Sequence, residues 1–414
     1  MLDLAMNKLF FRYPVLGKTL VTGLILFIML AGRYLPVPLV NLSGYLPQTA
    51  LEELPWYQIP QSSLPMLSIF SLGLGPWMYA TILISLFSIG SKQSSLSPRM
   101  MEFRKNALML LLAFIQGLGL AIGLNYGEGG KLAIIDEIFF VTLVTIAGAF
   151  VISWLASMNA AYGLGGTAII ILINIIVGQL YIFPLFLDLF QTELAFVGGL
   201  ILAWTALSIY LTVVLDHAEY RVPIQRIAIK NDLMKEAYMP IKLNISGGMP
   251  FMYAYTLLAF PQYIFLLLSF LFPNQAMIFQ YLASYFTLTN LEGILFFLAI
   301  LALLTISFAF TTVNPTEKTR EMRRTGDYIP LLRPGQPTKA YLISLIFKIG
   351  TINAVFLLFM VGLPLLLSLD YPDIQRIAGL PGIFMMVVGI LLTIIKEVKM
   401  MGLKKRYGSL FELK

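Results

Sequence analysis

Side chains able to do covalent or acid–base chemistry are scarce in this chain, and they are poorly placed for it. Its 414 residues hold no cysteine and one histidine, His217. That excludes thiolate nucleophiles, disulfides and a histidine-rich metal site. No paired aspartates and no His–Glu motif offer a place for a metal or a phosphate. No glycine-rich phosphate loop is present, so any work must be powered by a partner. Ionisable residues in or near the apolar stretches are few: Lys348, Asp188 and Glu292. Such residues mark ion and proton pathways, and no relay can be assembled from these. Arg33 and Lys348 can snorkel to an interface. Asn174 and Gln179 read as bonds between helices, with a pore lining as the other reading. The sequence therefore predicts neither an enzyme nor a cofactor site.

The elements around these residues are membrane spans. The chain is 58% hydrophobic and only 12% charged, with a mean hydropathy of +0.84, whereas a soluble domain has about a quarter of its residues charged. A spanning helix needs about 20 mainly apolar residues. Ten such stretches occur, near 18–38, 73–90, 106–126, 138–160, 167–188, 194–215, 250–272, 291–312, 341–368 and 379–399. The expected fold is an all-α polytopic membrane protein. The first stretch follows Lys8, Arg12 and Lys18 but lacks a small-residue cleavage site, so it reads as a retained span. With the N-terminus inside, 24 Lys and Arg fall on inner segments and three (Arg33, Lys131, Arg376) on outer ones. By the positive-inside rule both termini are cytosolic.

Ten spans divide into two halves of five, residues 1–190 and 191–414. An odd number per half forces opposite orientations, the arrangement of an inverted repeat. Spans two and seven then correspond, and both open on glycine and proline. Gly73-Leu74-Gly75-Pro76-Trp77-Met78-Tyr79-Ala80 lies beside Gly247-Gly248-Met249-Pro250-Phe251-Met252-Tyr253-Ala254. Gly-Gly lets the backbone bend or closely approach a neighbour. Pro250 suits the first turn of a helix. Two irregular helix starts in matching places point to the functional axis, where such backbone lines protein or water. Taken alone, each is an ordinary helix start.

Three connecting segments stand out. Segment 39–72 carries Pro47, Pro55, Pro60 and Pro65, then an apolar run too short to span. It reads as a re-entrant piece over 52–72; the alternative is an outer loop on the lipid interface. Loop 216–249 is basic, and Val222–Ile229 alternates well enough for a strand or hairpin arm. Loop 313–340 reads as a short charged helix over 315–324, capped by Asn314 with Pro315 at its first position, followed by a proline-bounded tip holding Arg333. Basic loops obey the topology rule and touch anionic lipid. Two with defined turns also suit an acidic cytosolic partner.

Several of these residues together resemble the SecY family of protein-conducting channels. Ser68–Trp77 resembles the start of its second span, and Gly163-Leu164-Gly165-Gly166 the glycine turn before its fifth. Met239–Asn244 through Pro250 is similar to the loop into its seventh span. Asn314-Pro315 with Tyr328–Gly335 is similar to its last long cytosolic loop. The resemblance covers nearly the whole chain, in order. It implies a ten-helix channel between two inverted five-helix halves, with a plug in 52–72. It implies an apolar pore ring at Leu74, Met78, Leu172, Met252 and Val387. It implies a lateral gate between spans two and seven that includes Pro76, Tyr79, Gly247, Gly248, Pro250 and Tyr253. It implies motor docking at Arg221, Arg226, Arg323, Arg324 and Arg333. The partners implied are a SecA-type ATPase, SecE- or SecG-like or accessory small subunits, signal-sequence-bearing polypeptides and membrane lipid, with no nucleic acid. The place implied is the bacterial cytoplasmic membrane.

The turn before span five keeps fewer of the family's glycines and asparagines. Tyr220-Arg221-Val222-Pro223 stands where housekeeping channels carry a denser arginine cluster. These departures resemble the accessory SecY of Gram-positive bacteria, which exports serine-rich glycosylated adhesins with a dedicated SecA. A housekeeping channel and, more distantly, a secondary transporter of a small solute remain the alternatives.

Overall fold

A computed structural model of the chain describes residues 14–33, 35–38, 68–88, 97–122, 124, 131–179, 195–226, 237–375 and 377–408. The first seven helices are α1 Pro14–Arg33, α2 Gly75–Ser88, α3 Pro98–Ile122, α4 Lys131–Tyr162, α5 Ala168–Gln179, α6 Ala195–His217 and α7 Met249–Leu271. α8 Ala276–Tyr285 follows, then α9 Leu291–Val313, α10 Pro315–Thr325, α11 Gln336–Leu367, α12 Pro372–Gln375 and α13 Leu380–Gly408. Among the described residues, eight helices are long and apolar enough to cross a membrane. α2 and α5 supply the remaining two spans and are described over 14 and 12 residues. Helices at the basic side outrun their apolar stretches. α3 begins at Pro98 rather than near 106, and α13 continues to Gly408. Lys, Arg, Glu and Met are good helix formers, and beyond the bilayer water satisfies what packing does not.

Packing repeats along the chain. α3 lies against α2 and α4, and α1 against α4; correspondingly α9 lies against α7 and α11, and α6 against α11. The two sets meet along two seams. On one, α7 packs on α2 and α3; on the other, α13 packs on α1 and α5.

α2 is short because the chain reaches it through buried, irregular backbone. Ser68 bridges Pro36 beyond the end of α1, and the Ile69 amide donates to the Leu35 carbonyl at 3.1 Å. Gly148 of α4 has no side chain where the Ile69 carbonyl presses on it, and Gly32 of α1 likewise makes room for the Phe70 ring. Ser68, Leu72 and Leu74 are buried. The last residues of the 52–72 segment thus fold back into the protein; residues 52–67 lie outside the described residues.

The two basic loops form one packed unit. β1 Glu219–Pro223 pairs antiparallel with β3 Tyr238–Lys242. β2 Gln225–Arg226 pairs with β4 Asp327–Tyr328, which joins the first loop to the second. The strand starts at Glu219 rather than Val222, and the β2–β4 link has no signature in either loop alone. Val222, Ile241, Met322, Ile329, Leu342 and Ile346 bury a small core beneath both loops. α10 forms as its residues dictate. The Asn314 side chain accepts from the Glu317 amide at 3.3 Å, and Pro315 opens the helix.

Candidate functional site

The two seams hold the residues singled out by sequence. Gly73 and Gly247, equivalent in the internal repeat, both adopt left-handed backbone, with φ of 53° and 59°. A side chain there costs about 1–2 kcal/mol, so glycine is demanded by conformation. Gly248 has ordinary backbone, φ −84°. It is glycine for space, because a Cβ would sit 2.5 Å from Met386 Cα of α13. Gly389 makes the reciprocal approach: a Cβ there would sit 2.9 Å from the Gly248 nitrogen. The start of α7 is therefore wedged backbone-to-backbone against α13, and Pro250 occupies its first turn. Beside it, the Asn353 side-chain amide of α11 donates to the Ser246 hydroxyl at 2.6 Å.

Where α2 faces α7, the Thr256 hydroxyl reaches the Met78 sulfur at 3.9 Å, and the Tyr79 and Phe260 rings lie 5.3 Å apart. Tyr79 is thus at the contact and Pro76 opens the same stretch of α2, while the start of α7 packs on α13. The Tyr253 ring stacks on Phe308 of α9 at 5.0 Å. Tyr253 lies three positions before Thr256 and seven before Phe260, so the helical period puts all three on one face of α7, and α9 borders that face. α3 belongs to this seam as well. Gly119 lets the Tyr263 backbone approach, and Gln116 is buried beside Tyr79. A polar Gln in an apolar stretch was the available signal for it. Pro261 falls inside α7 and removes one backbone bond from the helix.

The five residues expected to form the ring belong to, or pack against, the main apolar cluster, which many helices share. Leu74, Met78, Leu172 and Met252 are buried in one apolar cluster, and Val387 packs half-buried against it. Asn174, Gln179 and Asp188 have side chains outside the described residues.

The opposite seam is polar. Glu397 of α13 accepts from Lys18 of α1 at 3.4 Å and from the Gly165 amide at 2.9 Å. Gly165 and Gly166, both left-handed, form the turn between α4 and α5. The Asn159 amide caps that turn on the Leu164 and Gly166 carbonyls, and Thr22 of α1 binds both Asn159 and the Leu164 amide. Lys396, next to Glu397 in α13, is held by Asp216 of α6, which also holds Lys242 at 3.3 Å. Burial, with Lys396 close by, holds the Lys242 ammonium below its ordinary value. These networks were invisible in sequence, because each joins residues more than a hundred positions apart.

On the basic loops, Arg323, Arg324 and Arg333 are exposed, and Arg221 is exposed while lying over the Tyr238 ring at 4.7 Å. The side chain of Arg226 lies outside the described residues. Leu331 is 105% exposed in left-handed backbone, φ 67°. The Arg333 carbonyl is fixed by the Thr338 hydroxyl at 2.9 Å.

Comparison with known proteins agrees with this arrangement. The SecY family profile matches residues 68–395. The accessory Sec system protein translocase subunit SecY2 of Streptococcus agalactiae serotype III (strain NEM316) is 38% identical over 98% of both chains. The subunit of the same name from Streptococcus gordonii is 32% identical over 98% of this chain and 100% of its own. A solved protein-conducting channel superposes with a TM-score of 0.67 at 16% identity, covering 96% of this chain and 94% of that one. A profile spanning most of the chain, near full-length relatives and a shared ten-helix fold together make this chain a member of the SecY family.

Proposed function

We infer that the chain is the channel subunit of an accessory Sec-type translocase, through which unfolded polypeptides cross or enter the membrane. The observation that carries this reading is the near full-length identity to accessory SecY2 subunits. The short α2, reached through buried backbone and packed on α7, supplies a seam that could part. In this reading 1–190 and 191–414 are the two halves, α2 and α7 with Pro76, Tyr79, Gly247, Gly248, Pro250 and Tyr253 form the lateral gate, and the 52–72 segment closes the outer side. The membrane is the bacterial cytoplasmic membrane and both termini are cytosolic. A cysteine introduced at the exposed Gln336 is then expected to react with an impermeant thiol reagent only after the cells are opened. Labelling in intact cells would invert the topology.

Force comes from a SecA-type ATPase docked on the joined basic loops, with small accessory Sec subunits alongside. Serine-rich glycosylated adhesins are the clients. A basic platform with a strained, exposed apolar tip at Leu331 supports docking there, since strained backbone clusters at functional sites. Arg333→Glu is expected to leave membrane abundance unchanged, because most exposed substitutions shift stability by within about 0.5 kcal/mol. It should weaken ATPase binding at least about tenfold, the loss of one charge-assisted contact. Co-purification with the dedicated ATPase and an in vivo export assay measure both. Undiminished binding and export would remove Arg333 from the interface; absence of any bound ATPase would count against the accessory reading itself.

A further inference from the structure

We propose that α8 is an interfacial anchor, seating Met277, Ile278 and Tyr281 in the acyl-chain boundary of the leaflet away from the basic loops and so fixing the depth of that end of α7. No charged residue occurs between Lys242 and Glu292, so the whole connection from α7 to α9 is uncharged. Within it, α8 buries none of its residues inside the protein. Met277, Ile278 and Tyr281 are 84%, 59% and 62% exposed and share one face. Gln280 and Ser284 flank that face and are also exposed. An apolar stripe with a polar, uncharged edge is how a helix lies in a membrane interface. Tyr281 and Tyr285 join their hydroxyls at 2.7 Å, and tyrosine settles at headgroup level.

The occupant follows from continuity. Phe270, Leu271 and Phe272 at the end of α7, and Leu291 and Leu295 at the start of α9, are exposed on membrane-spanning helices. The α8 stripe lies between those two lipid-facing ends in the chain, and lipid is the solvent that both already meet.

α8 is also fixed to the gate helix. Phe272 meets Phe279 at 6.2 Å. The Gln262 side chain of α7 donates to the Phe286 carbonyl at 2.6 Å, and the Phe286 ring sits 5.6 Å from Phe265 and 5.0 Å from Phe296. Gln375 of α12 donates to the Leu288 carbonyl at 3.0 Å. A helix held this way travels with α7, so its lipid contact acts on the moving side of the seam.

The test uses the cysteine-free background. Single Met277→Cys, Ile278→Cys and Gln280→Cys variants carry the same polarity-sensitive fluorophore in vesicles of phosphatidylcholine and phosphatidylglycerol. Labels at 277 and 278 are expected to be quenched several-fold more by nitroxides on lipid acyl chains than by aqueous iodide, with the order reversed at 280. Equal iodide quenching at all three positions would overturn the anchor. Shielding of 277 and 278 from both quenchers would also overturn it, and would show that protein rather than lipid covers the stripe.

Discussion

Joining Met78→Cys to Thr256→Cys with a short, reducible bis-thiol reagent is expected to stop export completely and leave the amount of channel in the membrane unchanged. The two positions are in contact between α2 and α7, beside the Tyr79–Phe260 pair. The chain has no native cysteine, so the bridge can form only there. In the proposed gate, parting of this seam is a population shift: a signal sequence would open it by binding the open state better. Taking an equilibrium from 1:99 to 99:1 needs about 5.5 kcal/mol of differential affinity. A covalent bridge removes the open state altogether, and no affinity restores it. Reduction should return export to the level of the unbridged double variant, which is the proper reference because both substitutions touch the core. Normal export through a fully bridged channel would place the lateral exit elsewhere.

Met78→Asn combined with Met252→Asn is expected to make the idle channel conduct small ions, where the native chain conducts almost none. These residues are repeat mates, one from each half, and both lie in the apolar cluster with Leu74 and Leu172. A narrow apolar ring excludes ions by dewetting. Methionine suits such a ring because it is flexible and repacks around a passing chain. An amide in the same place costs about 1–3 kcal/mol unless it is hydrogen-bonded, and water entering the waist is the available partner. Planar-bilayer recordings without substrate measure the leak. A double variant as silent as the native chain would move the constriction to other residues.

The platform formed by the two basic loops was legible in part. The helix over 315–324, its Asn314 cap and the exposed tip follow from local chemistry, because capping and proline act over three or four residues. The β2–β4 pairing of the two loops does not follow, since strand partners far apart in sequence leave no mark on either segment. It changes the meaning of Arg221 and Arg333: they stand on one shared core rather than on two independent loops.

Ten spans and membrane residence were set by the sequence alone, because twenty apolar residues in a row have few other stable fates and lysine and arginine cross a membrane poorly. So was the matching of spans two and seven, since a left-handed turn needs glycine and a helix start tolerates proline, and both read directly as residue types. Tertiary structure decided which faces meet. It turned Tyr253 toward Phe308, brought α3 into the seam through Gln116 and Gly119, and wedged Gly248 on Met386. It also closed the opposite seam with Glu397, whose partners are Lys18 and a backbone amide at Gly165. Nearly every residue of a membrane span is apolar on all sides, so hydropathy holds little record of helix rotation. Rotation is fixed by shape at glycines and by rare polar contacts, and these exist only once distant helices are side by side.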